Sequence, residues 1–169
     1  MPLSPSGIEA LLRLKKQNIY PPGDLFFTSK LNRAIQSAIL LYGDVPITEL
    51  EELNEYDFGI FEMKSFDEIK GEKAFIAWVN DDTGTIACPN GESQQAYVGR
   101  VLNGFNTVVC QAYETGSGSV VLLSHRGVIV RIMQHLFPAL IEDYSIQPDN
   151  GHGYTINYST EQQHSYAVF

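Results

Sequence analysis

Ser124-His125-Arg126-Gly127 is the stretch of this sequence best suited to chemistry. It follows Val120-Val121-Leu122-Leu123, an unbroken apolar run led by two valines. Such a run suits a strand buried on both faces. After it, Val128, Ile129, Ile132, Met133 and Leu136 recur at helical spacing. The pattern predicts strand, sharp turn, helix, with Ser124 and His125 at the carboxyl end of the strand. In open α/β sheets ligands bind outside that edge. A helix starting there also directs free backbone N–H groups at an anion. A histidine alone is more often structural; its place between a strand end and a helix start marks this one for function.

The elements that must position this stretch are legible in order. Ser6 and Glu9 have capping-box spacing, which predicts a first helix over Ser6–Gln17 with Ile8, Leu11 and Leu12 on one face. Pro21-Pro22-Gly23 breaks the chain, Asp24–Ser29 reads as a short buried strand, and Ser29 is expected to cap a helix over Lys30–Tyr42. Pro46–Leu50 is a weak strand, Asn54–Met63 is irregular, and Ser65–Ile69 and Glu72–Val79 are short helices. Asp81–Asn90 is a loop. The longest helix is predicted over Glu92–Glu114, with Val98, Val101, Leu102, Phe105, Val108, Val109 and Ala112 inward. Pro138 ends the helix that follows His125, and Tyr154–Ser159 with Ser165–Phe169 alternate as a terminal hairpin. The order α-β-α-β-α-α-α-β-α-β-β implies a three-layer α/β/α sandwich: a mostly parallel sheet covered on both faces, with an antiparallel hairpin at its end.

The 169 residues suit one domain, and 44% hydrophobic with 18% charged residues is an ordinary globular composition. A formal net charge of −9 argues against nucleic acid or an anionic membrane as partner. It leaves room for a small phosphorylated ligand in a locally cationic pocket. Cys88 and Cys110 form no CxxC motif, so neither a metal site nor a disulfide framework is expected; two reduced thiols in a cytoplasmic protein is the plain reading. No apolar run reaches the length of a membrane span.

Several blocks together carry a resemblance. Ser124-His125 with Val128, Ile129 and Arg131 resembles the "SHGG-V-I-R" segment of the histidine phosphatase (phosphoglycerate mutase-like) superfamily, with Arg126 where that family has a small residue. Pro2-Leu3-Ser4-Pro5-Ser6-Gly7 is similar to its "PLT-x-x-G" helix start, and Thr28-Ser29-Lys30-Leu31-Asn32-Arg33-Ala34 to its "SSPL-x-RA". Leu53-Asn54-Glu55 through Gly59 to Glu62 resembles "L-x-E-x-x-x-G-x-W-E-G", with Met63 in place of the last glycine. Pro89-Asn90-Gly91-Glu92-Ser93, with Arg100 beyond, resembles "P-x-GES…R". Each block is weak alone; five in the right order span nearly the whole chain.

The resemblance implies phosphomonoester hydrolysis through a phosphohistidine, without metal or other cofactor, on a small phosphorylated metabolite. Short members of the family are phosphatases more often than mutases, among them alpha-ribazole-phosphatase-like and broad-specificity enzymes. By the same resemblance Arg33 is a phosphate ligand, and a guanidinium near a helix N-terminus suits that role. His125 is expected to hydrogen-bond the transferring phosphoryl oxygens. Glu55 is expected to protonate the leaving group, with Asp57 and Glu62 as weaker alternatives. Arg126 either adds a second cation or points to solvent. Glu92 and Ser93 either touch substrate or only cap their helix. His152 reads as a turn histidine, His135 and His164 invite no role, and Trp78 with Phe75 reads as core. A homo-oligomer is possible.

One departure is large. The family's nucleophilic histidine lies in an Arg-His-Gly triplet on a strand upstream of the "PLT" block, and here that block begins at Pro2. The expectation is a domain truncated relative to the family, with a gap in its sheet and little or no hydrolytic activity by itself. A non-catalytic phosphate-binding or interaction module is the alternative.

Overall fold

Ser4, not Ser6, starts the first helix. In the computed structural model, which describes residues 1–141, 146–159, 161 and 163–169, α1 runs over Pro5–Lys16 and the Ser4 hydroxyl accepts the Gly7 N–H at 3.1 Å. Proline is pre-set for the first helical position, where its missing N–H costs nothing, and this moves the cap two residues upstream of the expected box. The remaining elements are β1 (Leu25–Ser29), α2 (Asn32–Tyr42), β2 (Ile47–Leu50), α3 (Phe66–Ile69), α4 (Lys73–Val79), α5 (Gln94–Thr115), β3 (Val120–Leu123), α6 (Arg126–Leu136), β4 (Tyr154–Asn157) and β5 (Ser165–Val168). Their order is the one read from the sequence. No helix among the described residues is long and apolar enough to cross a membrane.

β1 lies between β2 and β3 in a three-stranded parallel sheet, and β4 pairs with β5 in a separate antiparallel hairpin. The β1–β3 register sets Leu25 against Val120 and Phe27 against Leu122. These four face α5 and α6, where they join Val101, Val108, Val128, Ile132 and Leu136 in one core. On the other face Phe26 meets Tyr42 of α2 at 5.0 Å between ring centroids, and α1 packs on α2. Helices therefore cover both faces of the sheet. Fully burying each of the large side chains, such as Phe27 and Leu53, stabilises the fold by ~1.5–3 kcal/mol.

β3 departs from expectation. Of Val120–Leu123 only Val121 is buried; the other three are half-buried. The reason is topological: no strand among the described residues pairs with the outer edge of β3, so its apolar run is a sheet edge rather than a sheet centre.

The irregular stretch after β2 is held by backbone contact. Gly59, at φ +54°, approaches the Pro89–Gly91 turn so closely that a Cβ there would sit 2.1 Å from the Pro89 carbonyl oxygen. The Ile60 N–H donates to that same carbonyl at 3.0 Å. Only glycine fits both the dihedral and the space.

Candidate active site

Because the three strands are parallel, their carboxyl ends share one edge. β1 ends there at Ser29, β2 leads through a 3-10 turn at Glu51–Leu53 to Glu55, and β3 leads to His125. Arg33 lies in the first turn of α2. The sequence-predicted residues Arg33, Glu55 and His125 are thereby brought together from three separate segments.

His125 is 8% exposed and precedes α6 as its N-cap residue. Its Nε2 lies 2.7 Å from the Ser29 hydroxyl, and its Nδ1 accepts the Arg33 Nε–H at 3.3 Å. Arginine can only donate, so Nδ1 carries no proton and the proton of the neutral ring sits on Nε2, donated to Ser29. Burial, then the Arg33 charge, push the His125 pKa down from 6.5 to about 4, against an opposing pull from Glu55. The imidazole is therefore neutral at pH 7. Ser29 is completely buried and its hydroxyl also accepts the Leu31 N–H at 3.3 Å. That use of Ser29 replaces the expected cap: α2 begins after Leu31, without a side-chain cap. The Ser29–His125 pair is not a nucleophile and its base. With its proton on Nε2, His125 donates to the serine and cannot accept from it.

Glu55 is fixed by three donors. The Tyr97 hydroxyl and the Tyr56 N–H donate to Oε1 at 2.8 and 3.0 Å, and the Gly127 N–H at the start of α6 donates to Oε2 at 3.1 Å. Arg33, Asn54, Glu55 and Phe58 line a cleft of about 550 Å³ that opens at this edge. The rival carboxylates also line it but are turned to their own loop: Asp57 accepts the Gly59 N–H at 2.9 Å and Glu62 the Phe58 N–H at 3.1 Å.

Glu92 borders the cleft, with its carboxylate bonded inside the protein: Oε1 accepts the Asp57 N–H at 2.9 Å and Oε2 accepts Arg100 Nε–H at 3.2 Å. Arg100 in turn donates to the carbonyls of Glu52 and Asn54 at 2.9 and 3.0 Å, so the pair ties α5 to the segment that carries Glu55. Ser93 caps α5, its hydroxyl accepting the Ala96 N–H at 3.2 Å. Arg126 is exposed on the first turn of α6 and does not line the cleft. His152 Nδ1 lies 2.8 Å from the Phe169 carbonyl oxygen, His164 stacks on Tyr158, and His135 is exposed on α6. None of these three lines the cleft. Trp78 and Phe75 pack with Tyr56 and Phe61, as core. No three His, Cys, Asp or Glu side chains among the described residues gather as metal ligands.

Two site residues escape the sequence reading: Ser29, taken for a cap, and Tyr97, omitted from the inward face of α5. The buried stripe of α5 is Tyr97, Val101, Gly104 and Val108, not the stripe led by Val98. A helical signal was present, at spacings of 4, 3 and 4 from Tyr97, but tyrosine and glycine weaken it beside the valines.

A parallel α/β sheet with an arginine, a neutral histidine and a seated glutamate at its carboxyl edge places the candidate site where open α/β sheets bind their ligands. A profile of the histidine phosphatase superfamily (branch 1) matches residues 1–168, and the chain belongs to that superfamily. It is similar to the adenosylcobalamin/alpha-ribazole phosphatase of Escherichia coli, with 32% identity over 145 residues, covering 80% of this chain and 66% of that protein. The chain thus spans slightly less than two thirds of that relative. Among solved structures, the alpha-ribazole phosphatase from Shigella flexneri superposes with a TM-score of 0.83 at 26% identity, covering 99% of this chain and 83% of the other. Phosphoglycerate mutase from Bacillus anthracis shares the fold, with a TM-score of 0.76 at 19% identity, 99% of this chain and 81% of the other.

Proposed function

We propose that these 169 residues form a single histidine-phosphatase domain that binds a small phosphomonoester and, lacking the attacking histidine, turns it over poorly without a supplied strand. The observation that carries the binding half is the convergence of Arg33, His125 and Glu55 on one sheet edge beside the cleft. Arg33, which lines the cleft, grips the phosphoryl oxygens; His125, buried behind it, joins by turning its Nε2–H from the Ser29 hydroxyl to a phosphoryl oxygen; and Glu55 protonates the leaving alkoxide as the P–O bond breaks. Arg126, exposed on α6 and outside the cleft, does not touch the phosphoryl group. The 32% identity to an adenosylcobalamin/alpha-ribazole phosphatase favours a phosphorylated nucleoside-like metabolite as substrate.

The catalytic half is carried by what attacks phosphorus. No Arg-His-Gly triplet occurs in the 169 residues. His125 is neutral but its Nε2 proton is donated to Ser29 and its Nδ1 is bonded to Arg33, so neither nitrogen is a free lone pair. The outer edge of β3, which pairs with no strand among the described residues, with the β4–β5 hairpin in a separate sheet, supports a parallel strand added there, either from residues upstream in a longer chain or from a second chain. A purely phosphate-binding module is the second reading, favoured by the same occupied histidine.

The test compares the 169-residue chain with a form extended by an upstream strand ending in Arg-His-Gly, using an aryl and an alkyl phosphate. The extended form should hydrolyse both and trap a phosphohistidine; the short chain should bind phosphate and show little turnover. Equal turnover by the short chain, abolished by His125→Ala, would overturn the assignment of the nucleophile. Binding without turnover in both forms would establish the second reading.

A further inference from the structure

The proposed proton donor has an unusual seat. Glu55 Oε1 receives two donors, the Tyr97 hydroxyl at 2.8 Å and the Tyr56 N–H at 3.0 Å, whereas Oε2 receives one, the Gly127 N–H at 3.1 Å. Each carboxylate oxygen offers about two lone-pair sites. Oε1 is therefore filled, and Oε2 keeps one site.

Tyr97 is built to stay a donor. It is 2% exposed, its ring packs edge-on against Tyr56 at 4.9 Å between centroids, and the Arg100 guanidinium lies 5.3 Å from its ring centre. Burial, then the neighbouring Glu55 charge, raise its pKa well above the usual tyrosine value, so the phenol keeps its proton across the working range. Gly127 completes the seat. A Cβ added there would fall 2.5 Å from Glu55 Oε1 and 2.7 Å from the Tyr97 hydroxyl oxygen, so the start of α6 presses directly on this contact.

We propose that Tyr97 is a positioning residue for Glu55: by occupying Oε1 it confines the transferable proton to Oε2, orienting the carboxyl group toward the leaving oxygen. This rests on the reading of Glu55 as proton donor. In the step, the phosphoryl group passes to an imidazole nucleophile, the P–O bond to the leaving group breaks, and the alkoxide takes the proton from Oε2. Glu55 is left as a carboxylate with its three donors in place. Without the Tyr97 hydroxyl, Oε1 and Oε2 each keep an open site, and half the protonated population holds its proton on the wrong oxygen or in a rotated carboxyl group. The demand for a well-placed acid is greatest when the leaving group is a poor one.

The test has two readouts. In the 169-residue chain, glutamate labelled with ¹³C at the carboxyl carbon gives one resonance per residue, and Glu55→Gln identifies that of Glu55. Tyr97→Phe removes one oxygen and keeps the ring. It should displace the Glu55 resonance while the other glutamate resonances stay in place. In the extended form, Tyr97→Phe should lower the ratio of alkyl phosphate to aryl phosphate turnover by about tenfold or more. An unmoved Glu55 resonance, or equal loss on both esters, overturns the proposal, because a tyrosine that merely fills the core predicts both. If Glu55→Gln leaves the alkyl-to-aryl ratio unchanged, or no form turns over, the proton-donor reading itself falls and takes the proposal with it. A displaced resonance alongside that result shows the failure lies in the role of Glu55 and not in its contact with Tyr97.

Discussion

Arg33 Nε donates to His125 Nδ1 across 3.3 Å, and this contact fixes which imidazole nitrogen carries the proton. A buried neutral histidine between a cation and a buried serine is stable only while it stays unprotonated. Its behaviour in acid and in the presence of anions follows from that.

The first consequence is a pH-dependent stability. The His125 pKa is depressed from 6.5 to about 4 in the folded chain, so the unfolded chain binds more protons between those values. Stability from this group is full above pH 6.5 and is lost as pH falls toward 4, by about 3 kcal/mol. Urea unfolding from pH 7 down to 4 should show that loss, and His125→Gln should flatten it.

Anion binding should run the other way with pH. Sulfate keeps its charge across ~pH 5–8, and a dianion beside His125 favours the protonated ring. Sulfate should bind the 169-residue chain more tightly as pH falls through that range, with proton uptake visible by calorimetry in buffers of different ionisation enthalpy. Arg33→Ala should weaken binding by about 10- to 100-fold, the worth of a hydrogen bond to a charged group. Affinity that neither the pH nor the substitution moves would place the anion elsewhere.

Arg100 is expected to matter for stability more than its place on the rim of the cleft suggests. It is paired with Glu92, with side chains 24% and 16% exposed, and bonded to the carbonyls of Glu52 and Asn54. Arg100→Ala leaves Glu92 with only the Asp57 N–H, and those carbonyls without the guanidinium, and should cost about 2–4 kcal/mol. Arg100→Lys should recover little, since one ammonium cannot replace the planar fork. Chemical denaturation of both variants measures this.

Gly59→Ala is expected to destabilise by more than about 2 kcal/mol. The residue is at φ +54° and its Cβ would meet backbone, Pro89 O at 2.1 Å and Gly91 N at 2.6 Å. Backbone cannot rotate aside as a side chain can. Gly71→Ala, with nothing within 4 Å of the added carbon, is the control and should change stability by ~0.5 kcal/mol or less.

The sequence by itself determined the order of elements and the three residues that meet at the sheet edge. The first depends on short-range pattern, since apolar runs and periodicities mark strands and helices; of the three residues, His125 stands out by its place between a strand end and a helix start, while Arg33 and Glu55 were picked out by the resemblance of their blocks to the histidine phosphatase family. Helix starts were less legible, because Ser4, Ser6 and Ser29 are all adequate caps and only neighbours choose among them. Pro5 chose Ser4. Tertiary structure decided the rest. The parallel register of β1 with β3 carries Ser29 to a histidine 96 residues away, which removes it as a cap and sets the tautomer of His125. The edge position of β3 leaves Val120, Leu122 and Leu123 half-exposed, although their run reads as a strand buried on both faces. The packing of α5 turns Tyr97 inward to reach Glu55 across 42 residues of sequence. A hydrogen bond between distant segments depends on register and helix rotation to within about an ångström, and no local spacing of residues encodes that.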